Sequence, residues 1–131
     1  MLRYTCHEER VHCCLVAEFI EKEIRDAMWQ CEGSKSPGPD GFNFNFIKNS
    51  WEVLKVEIVV AMANFHVTGY IPKGCNASFI ALVLKVRDPI MLEQYRPISL
   101  VGAMYKIISK VLVGRIKQVL SSILVRVNRR L

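Results

Sequence analysis

The sequence predicts an α+β fold that is mainly helical and carries one short β-hairpin. Apolar residues recur at three- and four-residue spacing over three segments, which is the pattern of amphipathic helices. Two short runs of bulky apolar residues lie between the second and third of these segments, and such runs are typical of strands. At 131 residues, 51% of them hydrophobic, the chain is long enough to bury one core.

The first predicted helix covers residues 15–31. Its apolar positions, with charged residues between them, are Leu15, Val16, Phe19, Ile20, Ile24, Ala27, Met28 and Cys31. Gly33 is placed to end it. Residues 34–41 then form a loop, because two prolines fix φ and two glycines permit positive φ.

A second helix is predicted from one apolar stripe that runs along about five turns. The stripe consists of Ile47, Trp51, Leu54, Ile58, Met62 and Phe65. Gly69 and Pro72 are expected to close this helix.

The two apolar runs that follow predict strands. Residues 77–86 are short, apolar and bulky, which favours a strand buried on both faces. Asp88 and Pro89 turn the chain. Residues 96–101 predict a second strand, and Pro97 places it at a sheet edge or at a strand start.

A third amphipathic helix is predicted from residue 103 to about residue 125. Its apolar positions are Met104, Ile107, Ile108, Val111, Leu112, Ile116, Val119, Leu120 and Ile123. Lys106, Lys110 and Lys117 fall within about 40° of one another on the opposite side of the helix. This basic stripe faces solvent or a ligand, whereas Arg115 lies on the apolar side and has to snorkel or pair.

The formal net charge of +6 is unevenly distributed along the chain. Residues 1–33 hold four basic and seven acidic side chains, and residues 34–131 hold fourteen basic and five acidic ones. After Glu93 there are eight basic residues and no acidic one. Such one-sided charge favours a polyanionic partner, either nucleic acid or a phosphate-bearing substrate, over the alternative of a solvated helix face.

Cysteine usage and the N-terminal pattern predict an intracellular protein of the cytoplasm or nucleus. The five cysteines include no CxxC pair, and no basic start precedes an apolar run. No apolar run reaches membrane-spanning length, so we expect no membrane partner. Ordinary packing is favoured over a zinc site for the cluster Cys6, His7, His12, Cys13 and Cys14, because zinc ligands normally come as two well-spaced pairs.

Arg96 and Lys85 are the candidate phosphate-binding residues. Arg96 precedes Pro97, which restricts its backbone to an extended form, and Lys85 lies near the end of the first strand. The two would converge if the strands pair as a hairpin across residues 87–95. From the residues alone, a surface charge at a strand end is the favoured alternative for each, and the scattered carboxylates indicate no catalytic or metal site.

Three segments, SPGPDGF at 36–42, KGCNASFIALVLKV at 73–86 and QYRPISLVGAMYKIISKVLVGRI at 94–116, resemble LINE-type (non-LTR retrotransposon) reverse transcriptases. The resemblance is greatest to those abundant in plant genomes and covers roughly residues 15–123, in order and in register. It implies a partial domain made of an N-terminal extension and fingers, preceded by a segment at 1–14, expected to be disordered, and followed by an unmatched basic tail at 124–131.

The resemblance implies that basic residues at the positions of Lys85 and Arg96 lie over the triphosphate of an incoming deoxynucleoside triphosphate, and that the partner is an RNA or DNA template-primer. In the family, a palm with FxDFxKAFD-like and YxDD-like blocks holds the catalytic Mg²⁺, and neither block occurs here. The chain also has Leu84 where the family usually has Pro. We therefore expect a palm-less fragment without a cofactor of its own, inactive alone.

Two other functions stay open from the sequence. One is a nucleic-acid-binding module without catalysis, which predicts binding that weakens steeply with salt. The other is a helical protein-interaction domain whose exposed apolar faces lead to self-association.

Overall fold

The computed structural model describes the backbone of residues 13–128 and the side chains of residues 13–121. A helical segment at 13–16 is followed by helices α1 (Glu21–Trp29), α2 (Phe44–Asn49) and α3 (Trp51–Thr68), strands β1 (Ser78–Leu84) and β2 (Tyr95–Val101), and helix α4 (Ala103–Asn128). A short 3₁₀ turn, Leu92–Gln94, precedes β2. This mixture of helices with a small antiparallel sheet confirms the α+β prediction.

The first predicted helix is interrupted, so the prediction of one helix over 15–31 is wrong. The chain leaves the helix at Ala17 and enters α1 only at Glu21. The guanidinium of Arg115 donates hydrogen bonds to the backbone carbonyls of Leu15, Ala17 and Glu18, which replace helical partners there. At the other end of α1, Lys48 Nζ donates to the carbonyls of Trp29 and Cys31.

The second predicted helix is divided at Ser50, whose backbone departs from helical geometry (φ −97°, ψ 14°). Asn43 caps α2, because its side-chain oxygen accepts a hydrogen bond from the Phe46 N–H at 2.9 Å. Gly69 ends α3 in the left-handed conformation with φ +65°, as its position predicted.

Strands β1 and β2 pair antiparallel, with Ser78 opposite Val101 and Leu84 opposite Tyr95. The prediction that the first strand is buried on both faces is wrong. Six of its seven residues are exposed, since the sheet has two strands and neither face is covered by another layer within residues 13–121. Ile80 at 71% exposure and Leu84 at 58% illustrate how much apolar surface the hairpin presents.

The core lies among α1, α2, α3 and the N-terminal half of α4. Its buried side chains are Ile24, Ala27, Met28, Cys31, Phe44, Ile47, Trp51, Ile58, Met62, Ala103, Ile107, Ile108 and Val111. The predicted stripe of the second helix lies buried or half-buried here. Helix α4 runs to Asn128, three residues past its predicted end and into the predicted tail.

The SPGPDG loop packs directly on the junction between β2 and α4. Gly38 is buried, and a Cβ atom there would overlap the backbone of Val101 and Gly102. Asp40 Oδ1 accepts from the Phe42 N–H at 3.3 Å, and Oδ2 accepts from the Ala103 N–H at the first residue of α4. The carboxylate thus caps a helix 63 residues away in sequence, which stabilises its positive N-terminus.

None of the helices, over the part of the chain that the structure describes, combines the length and the apolar character that crossing a membrane requires. The predicted N-terminal segment at 1–14 lies outside the described residues except for its last two positions. Residues 129–131 of the predicted tail lie outside them as well.

Candidate nucleic-acid interface

A basic hollow of about 550 Å³ opens between the end of α1 and the first turns of α4. Three ammonium-bearing side chains line it: Lys35 from the loop after α1, and Lys106 and Lys110 from successive turns of α4. Tyr105, Ser109 and Val113 complete the α4 wall, and Cys31, Phe44 and Val101 add apolar surface. We call this space, with Lys35, Lys106, Lys110, Tyr105 and Ser109 as its cationic and polar wall, the basic hollow.

Two of the three lysines of the predicted basic stripe line the basic hollow. Lys106 and Lys110 line the basic hollow, whereas Lys117 is exposed about two turns farther along α4 and does not line it. Lys106 is half-buried with its ammonium 6.0 Å from the ring centroid of Phe44, which holds it at the wall through a cation–π contact. Lys110 is exposed.

Cys31 lies at the wall of the basic hollow, 8% exposed, and its Sγ donates to the Ala27 carbonyl at 3.5 Å. Burial raises the pKa of the Cys31 thiol above its ordinary value of 9.0. Lys110, Lys48, Lys106 and Lys35 act in the opposite direction, because each cation favours the thiolate. Three of these four lysines, Lys35, Lys106 and Lys110, also line the basic hollow.

One acidic side chain opposes the lysines. Glu32 also lines the basic hollow, and its Oε2 lies 3.3 Å from Lys35 Nζ. Both side chains are more than 60% exposed, so solvent screens this pair strongly and the lysine is free to exchange it for another anion.

The hairpin carries the other two predicted contacts, Lys85 and Arg96. Arg96 pairs with Val83, and Lys85 follows two residues after Val83, so the strands pair as the sequence predicted. Lys85 Nζ donates to the Glu93 carbonyl at 2.7 Å, and Lys85 lines a shallow hollow of about 410 Å³ beside Tyr95. Arg96 does not line that hollow.

Sequence reasoning missed part of this interface. Lys35, Tyr105 and Ser109 were not among the predicted contacts. Lys35 flanks the SPGPDG loop, and Tyr105 directly precedes a predicted contact, but neither position gave a signal before α1 and α4 were known to meet. Among residues 13–121, no three His, Cys, Asp or Glu side chains come close enough to hold a metal ion.

Comparison with known proteins gives two partial relatives. No family model matches the chain. It is 28% identical over 102 residues to the transposon TX1 uncharacterized 149 kDa protein of Xenopus laevis, covering 78% of this chain and 8% of that protein. It is 27% identical over 103 residues to the retrovirus-related Pol polyprotein from the type-1 retrotransposable element R1 of Bradysia coprophila, covering 77% of this chain and 10% of that protein.

The chain therefore spans about a tenth of the length of the curated relatives it matches. Both relatives are proteins of transposable elements, and they support an origin of the chain in a non-LTR retrotransposon.

Proposed function

We propose that the chain is the fingers part of a retrotransposon reverse transcriptase, an RNA-directed DNA polymerase, and that it grips the template strand and the incoming nucleotide. The observation that carries this proposal is the pairing of β1 with β2, which presents Lys85 and Arg96 on one exposed hairpin. The similarity to a Pol polyprotein agrees with it.

The electrostatics of the two surfaces fit a polyphosphate ligand and a nucleic-acid strand. Arg96 is exposed and has its guanidinium available for the oxygens of a triphosphate, whose negative charge grows as a nucleotidyl group is transferred. The lysines of α4, which begin ten residues after Arg96, supply a second cationic surface that is suited to backbone phosphates. Each surface serves one of the two ligands that a polymerase must hold together.

These 131 residues do not supply the chemistry of polymerisation alone. Two-metal nucleotidyl transfer needs carboxylates that hold both ions, and the sequence contains neither of the aspartate blocks of the family. The role proposed for this chain is therefore binding and positioning, and Mg²⁺ belongs to the parent enzyme.

Fluorescence anisotropy with a labelled DNA primer annealed to an RNA template measures whether the chain binds the template-primer. We expect binding that weakens steeply between low and physiological salt, because phosphates release counterions when lysines neutralise them. The variant Lys106→Glu/Lys110→Glu/Lys117→Glu should lose this binding. The control Lys22→Glu/Lys55→Glu/Lys73→Glu loses the same charge elsewhere and should keep most of it.

If both triple variants lost affinity equally, net charge alone would explain the binding. If the unaltered chain did not bind at low salt, the proposed binding role would be refuted. A primer-extension reaction with Mg²⁺ and all four deoxynucleoside triphosphates checks the other half of the proposal. We expect no extension, and extension by the purified chain would contradict it.

A further inference from the structure

We infer that the basic hollow binds one backbone phosphate of a single-stranded nucleic acid, and that the neighbouring base stacks on Tyr105. This inference rests on the proposed function, since it assigns the template-gripping role to one site and to one form of nucleic acid. Binding at this site depends on the shape of the hollow as well as on its charge, whereas binding to a basic helix face depends on charge alone.

The position of the three lysines carries the phosphate half of the inference. Lys106 and Lys110 lie four residues apart and so project from the same side of α4, while Lys35 approaches from the loop beyond α1. Cations on two separate elements that converge on one concave space can surround an anion, whereas cations on a single helix face can only border it.

The exposed ring of Tyr105 carries the single-strand half. It is 39% exposed at the hollow's wall, directly before Lys106 in sequence. An aromatic face beside cations is the arrangement with which proteins hold unpaired strands, because every base offers a π-face for stacking. A base within a duplex is already stacked and paired, so its face is not available to Tyr105.

The Glu32 carboxylate competes with a bound phosphate for Lys35. Glu32 occupies part of the cationic field through its contact with Lys35 at 3.3 Å. A phosphate that enters the hollow has to displace this carboxylate from Lys35. Removing the charge of Glu32 should therefore strengthen binding, which a purely structural role for the lysines would not produce.

The test measures the affinity of the full chain for a labelled oligothymidylate of about ten nucleotides. Because three lysines share one phosphate, Lys110→Gln should reduce the magnitude of the slope of log K against log salt by up to about 0.7, the value for one phosphate contact on a single strand. Glu32→Gln should tighten binding severalfold, and Tyr105→Ala should weaken it about tenfold, which is the usual effect of losing one stacked base. Lys55→Gln, on α3, is the matched control and should leave the slope unchanged.

Two further comparisons separate the hollow from a general field. Ser109→Leu narrows the hollow without changing a charge or adding an aromatic ring and should weaken binding severalfold, whereas Ser121→Leu, the same substitution farther along α4, should not. An abasic oligonucleotide keeps the phosphates but offers nothing to stack, so Tyr105→Ala should leave its affinity unchanged.

Unchanged affinity in Ser109→Leu and Tyr105→Ala, with binding still lost in the triple lysine variant, would overturn the inference and leave the proposed function standing. Equal affinity for the oligonucleotide and its duplex would overturn the single-strand assignment. A nucleoside triphosphate that fully displaced the labelled oligonucleotide, and bound as tightly as the oligonucleotide itself, would assign the hollow to a free nucleotide instead. Failure of every nucleic acid to bind would refute the proposed function along with the inference.

Discussion

The guanidinium of Arg115 on α4 binds both carboxylate oxygens of Glu23 on α1, with Nε–Oε1 and Nη2–Oε2 distances of 2.7 Å. Arg115 is 5% exposed, and the centre of its guanidinium lies 4.4 Å from the ring centroid of Phe19. Its remaining N–H groups donate to backbone carbonyls of residues 15, 17 and 18. One side chain thus joins α4, α1 and the segment before α1, and the hydrogen bond and charge of Glu23 raise the already high pKa of Arg115.

We predict that Arg115→Met lowers the free energy of unfolding by about 2–4 kcal/mol. The substitution keeps the apolar stem but leaves Glu23 and the three carbonyls without their donors, and breaking a buried pair from one side is costly. Glu23→Gln should cost less, about 1–2 kcal/mol, because the carbonyls keep their donors and an amide oxygen still accepts. Urea unfolding followed by circular dichroism measures both, and equal effects of the two variants would contradict this division.

The Arg115 network also explains how far the sequence could predict the fold. The apolar stripe from Trp51 to Phe65 and the terminating Gly69 were readable because helical spacing and a positive φ are local properties, but the division of this helix at Ser50 was not predicted. The break at residues 17–20 was not, because its cause lies about 100 residues away in Arg115.

The exposure of the hairpin and the full lining of the basic hollow also could not be predicted, because both depend on contacts between distant segments. Bulky apolar residues in β1 predicted burial, but burial depends on what covers a strand, which the strand's own residues do not encode. Lys106 and Lys110 were found from the wheel of one helix. Lys35 could not be added to them without knowing that the end of α1 meets the start of α4.

Asp40 should matter for stability through its contact with α4. Asp40→Ala removes the acceptor for the Ala103 N–H at the helix start, so we expect a loss of about 1–2 kcal/mol in the free energy of unfolding. Asp40→Asn keeps an acceptor oxygen and should lose less, about 0.5 kcal/mol. Thermal unfolding of the two variants beside the unaltered chain tests this, and an Asp40→Ala variant of unchanged stability would show that the cap is dispensable.

Gly38 and Gly114 should respond to alanine in opposite directions. A Cβ at Gly38 overlaps the backbone of Val101, so Gly38→Ala should destabilise the chain by about 1–3 kcal/mol, the range of overpacked sites. Among the described residues nothing lies within 4 Å of a Cβ at Gly114 in the interior of α4, so Gly114→Ala should stabilise it by about 0.5–1 kcal/mol. Urea midpoints give both signs, and destabilisation by Gly114→Ala would contradict the open space around this residue.

Cys31 should make stability depend on alkaline pH. Burial raises the thiol pKa in the folded chain, so the unfolded chain ionises first and is stabilised relative to the folded chain as the pH passes the ordinary value of 9.0. This contribution to stability is complete below that value and is lost as the pH rises toward the folded pKa. The stability gap between the unaltered chain and Cys31→Ala should therefore shrink from about pH 7 to about pH 10, and a constant gap would contradict the assigned shift.

The exposed hairpin should cause self-association. Ile80, Leu82 and Leu84 lie at alternate positions on one face of β1, each at least 51% exposed, and a two-stranded sheet also leaves strand edges with unpaired backbone groups. Replacing these three residues by Thr removes apolar surface while keeping strand propensity. We expect sedimentation velocity to show oligomers that grow with concentration for the unaltered chain and mainly monomer for the variant.

A matched control on α3 separates the hairpin from exposed apolar surface in general. Val53, Val56 and Val60 are also at least 51% exposed, but the helix satisfies its own backbone groups and offers no strand edge. Their replacement by Thr should leave the oligomers in place. If the helix variant became monomeric and the hairpin variant did not, α3 would be the associating surface. If the unaltered chain were monomeric at every concentration, the hairpin's apolar face would not suffice to join two copies.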